Sequence, residues 1–178
     1  MTKALIVIDM VVRDVQKHYD KKRLVRNQVL LMNAFRARKQ KVILVGGSHS
    51  GVPRKRKANP VMSRLWGNEI SKNPAENKVV PELLNAPHDL YIDKPEYSAF
   101  FKTKLEQYCK KHKITELYFC GIYTGCCVYF SAADAAMRGM QPYLVYDAAG
   151  STSPMWAKRN ADNFKVFFGP VVKTRSLL

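Results

Sequence analysis

Residues 115–139, TELYFCGIYTGCCVYFSAADAAMRG, join an apolar run to a segment of small residues through a short turn. The apolar run at 115–120 is typical of a strand buried on both faces of a sheet. The small residues predict a helix over about 125–138, which Gly139 would end. Two adjacent thiols, Cys126 and Cys127, therefore fall where a strand is followed directly by a helix.

The same alternation of strands and helices covers most of the chain. The further predicted strands are 4–9, 41–45, 89–93, 142–147 and a last short one near 164–168. The further predicted helices are 24–39, a short one around 79–85, 98–112 with Ser98 as N-cap, and one that begins near Ser153-Pro154. Such alternation favours a parallel sheet covered by helices on both faces. We predict an α/β fold: a three-layer αβα sandwich around a mostly parallel, Rossmann-like sheet of about six strands.

Length and cysteine usage indicate an ordinary globular chain. Its 178 residues fit one domain over residues 1–178. No run of about 18 apolar residues predicts a membrane span, and the opening MTKALIVIDM is typical of a first strand and not of a signal peptide. The four cysteines are close together, whereas a disulfide framework would spread them, so we expect free thiols in a reducing, cytoplasmic setting: Cys109, Cys120, Cys126 and Cys127.

The net charge of +16 is unusual. Such a field could attract nucleic acid, an anionic surface or an acidic substrate. The densest basic stretch is Arg54-Lys55-Arg56-Lys57, and nothing in the chain matches a nucleic-acid-binding motif. We therefore interpret the charge as a basic, soluble surface, and we expect neither a nucleic-acid nor a membrane partner.

Residues at the carboxyl ends of parallel strands meet at one edge of the sheet, where ligands bind. Asp9, Lys94 and Cys127 all fall at such ends. A thiol in the first turn of a helix and near an ammonium group has a lowered pKa, and a nearby carboxylate can move protons. The residues alone do not say which thiol points outward, and both could be small buried side chains.

Three segments resemble the isochorismatase-like cysteine hydrolases, which include nicotinamidase and N-carbamoylsarcosine amidase: ALIVIDM (4–10), KPEYSAFFKTKL (94–105) and GIYTGCCVYFSAADAAMRGM (121–140). The resemblance implies that Cys127 is the nucleophile, with Asp9 and Lys94 completing a catalytic triad. It also implies a cis peptide bond between Ile122 and Tyr123, and an oxyanion hole formed by the N–H groups of Tyr123 and Cys127. Cys126 falls at a variable position of the motif, where it would pack or line the pocket.

The function implied is hydrolysis of a C–N bond in a small amide, ureido or carbamoyl compound through a thioester. The family branch that cleaves isochorismate does not use a cysteine nucleophile. The nicotinamidase-like branch binds a metal through an Asp-x-His pair, where this chain has Gly47-Ser48-His49, so we expect neither a metal nor another cofactor. The resemblance implies a homodimer or homotetramer.

Several roles stay open at this point. His49 could act as a base for Cys127, contact the substrate or cap a loop; Trp66 and Tyr97 could line the pocket or only pack. Asp134 and Asp147 are predicted to be structural anchors. An alternative for the whole chain is a catalytically inactive protein of the same fold that binds an acidic partner or nucleic acid through its basic surface.

Overall fold

A computed structural model of the chain describes residues 2–47, 61 and 73–178. Within them lie six strands: β1 (Thr2–Ile8), β2 (Lys41–Gly47), β3 (Leu90–Lys94), β4 (Ile114–Gly121), β5 (Gln141–Ala149) and β6 (Val171–Val172). They form one sheet in the order β3-β2-β1-β4-β5-β6, and every pair is parallel. The predicted six-stranded parallel sheet is confirmed.

Helices cover both faces of this sheet. They are α1 (Val12–Lys17), α2 (Lys21–Ala37), α3 (Pro81–Leu84), α4 (Leu105–Lys111), α5 (Tyr129–Met137) and α6 (Pro154–Phe167). Because side chains alternate along a strand, Leu5 and Val7 pack with α1, α2 and α3, whereas Ile6 and Ile8 pack with α4, α5 and α6. In the part of the chain described, no helix combines the length and the apolar character needed to cross a bilayer.

Two element predictions were wrong. Residues 164–168 do not form a strand, because all but the last belong to α6, and the sheet ends instead with β6. The buried side chains of Ala157, Ala161 and Phe164 recur at helical spacing, and this pattern outweighs the short apolar run at the end of the helix.

The helix predicted over 98–112 begins only at Leu105. Ser98 does not cap it. Its hydroxyl donates to the carboxylate of Asp134 and accepts the N–H of Phe100 at 3.1 Å. The chain around Ser98 is therefore held in turns by contacts with another element.

The carboxyl ends of β1 and β4 lie unusually close together, at the point where the strand order reverses. The N–H of Ile122 donates to the carbonyl of Ile8 at 2.9 Å. Gly121 has φ +115°, and a Cβ there would lie 2.0 Å from the Ile8 oxygen. Only glycine permits this approach, which brings the turn after β4 over the end of β1. Ligands of open α/β sheets bind at such a reversal.

Candidate active site

Lys94, the last residue of β3, is at the centre of the site. Its side chain is 3% exposed, and its Nζ lies 2.7 Å from Oδ2 of Asp9. The same Nζ donates to the carbonyl of Glu96 at 2.9 Å and to Sγ of Cys127 at 3.4 Å. An ammonium group has three hydrogens, so these three acceptors use all of them and define the position of the charge.

Lys94 keeps its positive charge despite its burial. Burial alone would lower the pKa of this amine, but the nearby Asp9 and Cys127 side chains outweigh it and raise the pKa above its ordinary value. Lys94 is therefore a permanent cation between a carboxylate and a sulfur.

Asp9 directly follows β1 and adopts φ 51°, which is uncommon for a residue with a side chain. Its backbone N–H donates to the carbonyl of Val45 at 2.8 Å, which ties this turn to β2. Oδ2 is paired with Lys94, whereas Oδ1 is buried and has no hydrogen-bond partner among the described residues. The carboxylate thus keeps one oxygen available to accept a proton.

Cys127 lies in a wide helical turn, Thr124–Val128, between β4 and α5. We predicted a lowered pKa for a thiol at this place, and for Cys127 the structure indicates the opposite. A hydrogen bond with the Cys126 thiol, burial and the Asp9 carboxylate raise the pKa of Cys127, and Lys94 only partly opposes them. The same contact between the two thiols lowers the pKa of Cys126. A raised pKa disfavours the thiolate, so a nucleophilic role for Cys127 would call for a base that takes its proton.

Two of the segments that carry the family resemblance are hydrogen-bonded to each other. Ser131 Oγ donates to the carbonyl of Cys127 at 2.7 Å and accepts the N–H of Ala99 at 2.9 Å. The hydroxyl of Ser98 donates to Asp134, which also binds Arg138. These contacts fasten the chain after Lys94 to the helix after Cys127. Asp134 has the predicted anchoring role, whereas Ser131 gave no signal in the sequence beyond its small size.

The turn between β4 and Cys127 contains the cis peptide bond expected between Ile122 and Tyr123. Gly150 supports this turn on both sides. Its N–H donates to Gly121 O at 2.8 Å, and its carbonyl accepts the N–H and the hydroxyl of Thr124 at 2.8 and 2.9 Å. Tyr123, a predicted oxyanion-hole residue, thus lies in a segment held at both ends.

The other predicted residues are less informative. Tyr97 stacks on the half-exposed ring of Phe130 with ring centres 5.3 Å apart, which is a packing contact, and its role in substrate binding stays a prediction. His49 and Trp66 lie outside the described residues. Asp147 has the anchoring role predicted for it, because its Oδ1 accepts the N–H and the hydroxyl of Thr174 at 2.8 and 2.9 Å.

The ranges 2–47 and 73–178 contain no group of three or more His, Cys, Asp or Glu side chains that could hold a metal ion. His49 is not within them, so the expectation of a metal-free site stays a prediction.

Comparison with known proteins now decides the family. Residues 3–176 match the family model of the Isochorismatase domain. The chain belongs to the isochorismatase family. It is 36% identical over 93 residues to phenazine biosynthesis protein PhzD1 of Pseudomonas aeruginosa, an alignment that spans 52% of this chain and 45% of that protein. The chain thus matches less than half the length of this curated relative.

Solved structures of other proteins share the fold over nearly the whole chain. A cysteine hydrolase from Pseudomonas syringae superposes with a TM-score of 0.85 at 20% identity, covering 98% of this chain and 90% of that one. N-carbamoylsarcosine amidase from Thermoplasma acidophilum superposes with a TM-score of 0.79 at 24% identity, covering 98% and 97%. The TM-scores establish a shared fold, and at identities below 25% the likeness extends no further than the fold. The match to the Isochorismatase domain places the chain in a family of hydrolases.

Proposed function

We propose that this protein hydrolyses a C–N bond in a small amide, ureido or carbamoyl compound, with Cys127 as the nucleophile. One observation carries the proposal: the Lys94 ammonium lies 2.7 Å from Asp9 Oδ2 and 3.4 Å from Cys127 Sγ. A carboxylate, a buried cation and a thiol from three separate strand ends are the groups that covalent acyl transfer needs.

The reaction would begin with proton transfer. Asp9 takes the proton of Cys127, since the contact with Cys126 and burial raise the pKa of this thiol and Asp9 Oδ1 is unpaired among the described residues. The thiolate then attacks the carbonyl carbon to form a C–S bond. Lys94 stabilises the negative charge throughout the transfer. The oxyanion that develops on the carbonyl is held by the backbone N–H groups of Tyr123 and Cys127.

The second half of the reaction uses the same carboxyl group in reverse. Protonated Asp9 gives its proton to the leaving nitrogen, the C–N bond breaks, and an amine or ammonia departs. The thioester that remains on Cys127 is attacked by water, from which Asp9 removes a proton. The C–S bond then breaks, the acid leaves, and the proton returns to the sulfur.

The nucleophile favours a substrate with a carbonyl carbon, and the resemblance to amidases favours a C–N bond among such substrates. A thiol paired with a carboxylate and a lysine forms an acyl intermediate with amides, whereas cleavage of a vinyl ether has no carbonyl carbon for a thiol to attack. The shared fold with N-carbamoylsarcosine amidase agrees with this class of substrate. By resemblance we also expect a homodimer or homotetramer, which analytical ultracentrifugation measures.

The test is a screen for ammonia or amine release from small amides, ureido acids and carbamoyl compounds. On a compound that is hydrolysed, Cys127→Ala should lower kcat by about four orders of magnitude or more, because no other group forms the thioester. Cys126→Ala is the matched control and should keep most of the activity. Equal loss from the two variants would overturn the assignment of the nucleophile.

The net charge of +16 favours one rival, an inactive member of the family that binds a polyanion. Affinity for RNA or heparin that falls steeply with salt, in a protein that hydrolyses none of the compounds, would favour this rival. Turnover that depends on Cys127 would exclude it.

A further inference from the structure

His18, which follows α1, is a buried titratable residue that the proposed mechanism does not use. Only 8% of it is exposed. Its Nδ1 accepts the N–H of Asp20 at 3.1 Å, and its ring stacks on Tyr19 with centres 4.3 Å apart. Since Nδ1 is an acceptor, the neutral ring carries its hydrogen on Nε2. That Nε2 is buried and finds no hydrogen-bond partner within the described part of the chain.

The unpaired edge of the ring faces Gly150. A Cβ built on Gly150 would lie 2.9 Å from His18 Nε2, 3.1 Å from His18 Cδ2 and 3.0 Å from Ile122 Cγ1. The imidazole and the Ile122 side chain therefore leave no room beside this α-carbon for anything larger than hydrogen. Gly150 in turn binds Gly121 and Thr124, the two residues that enclose the Ile122–Tyr123 peptide.

We propose that His18 is a positioning residue: its ring, held by Asp20 and Tyr19, packs against Gly150 and thereby fixes the Gly121–Thr124 turn that carries the Tyr123 oxyanion donor. The inference rests on the proposed function, because it assigns His18 to the oxyanion hole of that reaction. His18 would not touch the substrate.

An alternative explanation is that His18 only fills space. A side chain selected for packing alone would be apolar, because burying an N–H donor without an acceptor is unfavourable. The bond from Asp20 to Nδ1 instead fixes the plane of a flat ring, which an aliphatic side chain cannot reproduce. Oxyanion donors act only when they are fixed in advance, and a shift of about 1 Å in such a group can cost up to about a hundredfold in rate.

Two probes of Cys127 separate the oxyanion hole from the thiol. A small aldehyde such as propionaldehyde forms a thiohemiacetal: the sulfur bonds to the carbonyl carbon, and the thiol proton ends on the former carbonyl oxygen, which occupies the oxyanion site. Alkylation by iodoacetamide displaces iodide and needs no oxyanion donor. Both are measured by mass spectrometry in the Cys126→Ala background, so that only one thiol of the pair is present.

His18→Ala should weaken aldehyde binding about tenfold or more, and should leave the alkylation rate within about twofold. His88→Ala is the control, since His88 contacts the Ala86 carbonyl at the other end of β3. This variant should change neither the aldehyde affinity nor the alkylation rate. If His18→Ala does not fold, His18→Leu provides the test. Leucine fills the space with an apolar side chain but has no flat ring held by Asp20, so it should also weaken aldehyde binding and leave the alkylation rate within about twofold.

The role of His18 would be overturned if the wild type and His18→Ala bound aldehyde equally well. It would also be overturned if the aldehyde affinity and the alkylation rate fell in parallel. This outcome leaves the hydrolase proposal intact, because turnover by the wild type is measured separately. A third outcome is possible: His18→Ala weakens aldehyde binding as expected, but the wild type hydrolyses none of the compounds screened. This outcome would overturn the proposed function and support the positioning role. Wild-type protein that binds no aldehyde would overturn the positioning role.

Discussion

The two ends of β3 each hold an ion pair with an aspartate, and the pairs differ in what they can do. At the amino end, Asp89 Oδ1 lies 2.6 Å from Arg36 Nη1 and 3.2 Å from Lys41 Nζ. Its Oδ2 accepts the N–H of Val42 at 2.9 Å. Both oxygens of this carboxylate are occupied, so Asp89 ties β3 to α2 and β2.

At the carboxyl end, the cation and not the carboxylate is fully engaged. Lys94 binds three acceptors, while Asp9 keeps one oxygen unpaired among the described residues. Lys94 is 3% exposed, whereas Arg36 is 39% exposed. The difference shows what the proposed mechanism requires of an ion pair: it is shielded from water, one carboxylate oxygen is unpaired, and a thiol lies beside it.

The strongest test of this comparison replaces each carboxylate in turn. Asp9→Asn should lower kcat by about 10²- to 10⁴-fold, because an amide cannot take the proton of Cys127. Steady-state kinetics on a hydrolysed compound measures the effect. Asp89→Asn is the matched control and should leave kcat unchanged. A similar loss of activity in both variants would show that the two pairs do not differ as described.

Removing the buried cation should damage stability as well. Lys94→Met leaves the Asp9 carboxylate without its partner in a site of low polarity, and we expect the free energy of unfolding to fall by about 3–5 kcal/mol. Urea denaturation followed by circular dichroism measures it. A loss below about 1 kcal/mol, the range of exposed pairs, would mean that water screens this end of β3 as well as the other.

Asp89→Asn should lower stability by about 1.5–3 kcal/mol, the usual range for hydrogen bonds to a charged group. Burial raises the pKa of Asp89, but the Val42 N–H and the charges of Lys41 and Arg36 outweigh it and lower the pKa below its ordinary value of 3.8.

Because the pKa of Asp89 is lower in the folded state, its charged form stabilises the fold fully above the unfolded pKa and loses this effect as the pH falls through the folded value. Urea midpoints of the wild type and Asp89→Asn should therefore differ by a constant amount at neutral pH and converge in acid. If the difference between the two urea midpoints widened in acid, the pKa of Asp89 would be raised by folding and not lowered.

The smallest effect is expected at the exposed cation of the amino end. Arg36→Gln should cost less than about 1 kcal/mol, because Arg36 is partly solvated and Asp89 keeps Lys41 and Val42. The same urea titration detects it, and high salt should reduce it further. A loss as large as that of Lys94→Met would remove the contrast between the two ends.

Much of the site was predictable because its members belong to local patterns. Asp9, Lys94 and Cys127 each follow or end an apolar run, and the carboxyl ends of parallel strands share one edge of a sheet. The position of His18 beside Gly150 was not predicted, because a single histidine after a short helix matches no motif. Ser131 was missed because its importance comes from two hydrogen bonds to backbone groups, one of them in a distant segment.

The prediction of a lowered thiol pKa agrees with Cys126 but not with Cys127, for a different reason. Position at the start of a helix argues for a lowered pKa, but the contact with Cys126, the burial and the Asp9 carboxylate together raise the pKa of Cys127. None of these depends on helix position. The result suits the proposed mechanism better than the prediction did, since it gives the Asp9 carboxylate a proton to remove.

Hydrophobic periodicity and the order of three short segments were enough to predict the layered sheet and to single out Asp9, Lys94 and Cys127, which the fold brings together, because burial patterns and motifs are local properties of a chain. The raised pKa of Cys127, the three bonds of Lys94 and the contact of His18 with Gly150 were decided only by tertiary structure. These depend on separations of a few ångströms between groups that are distant in the chain, and electrostatic and packing energies change steeply over such distances.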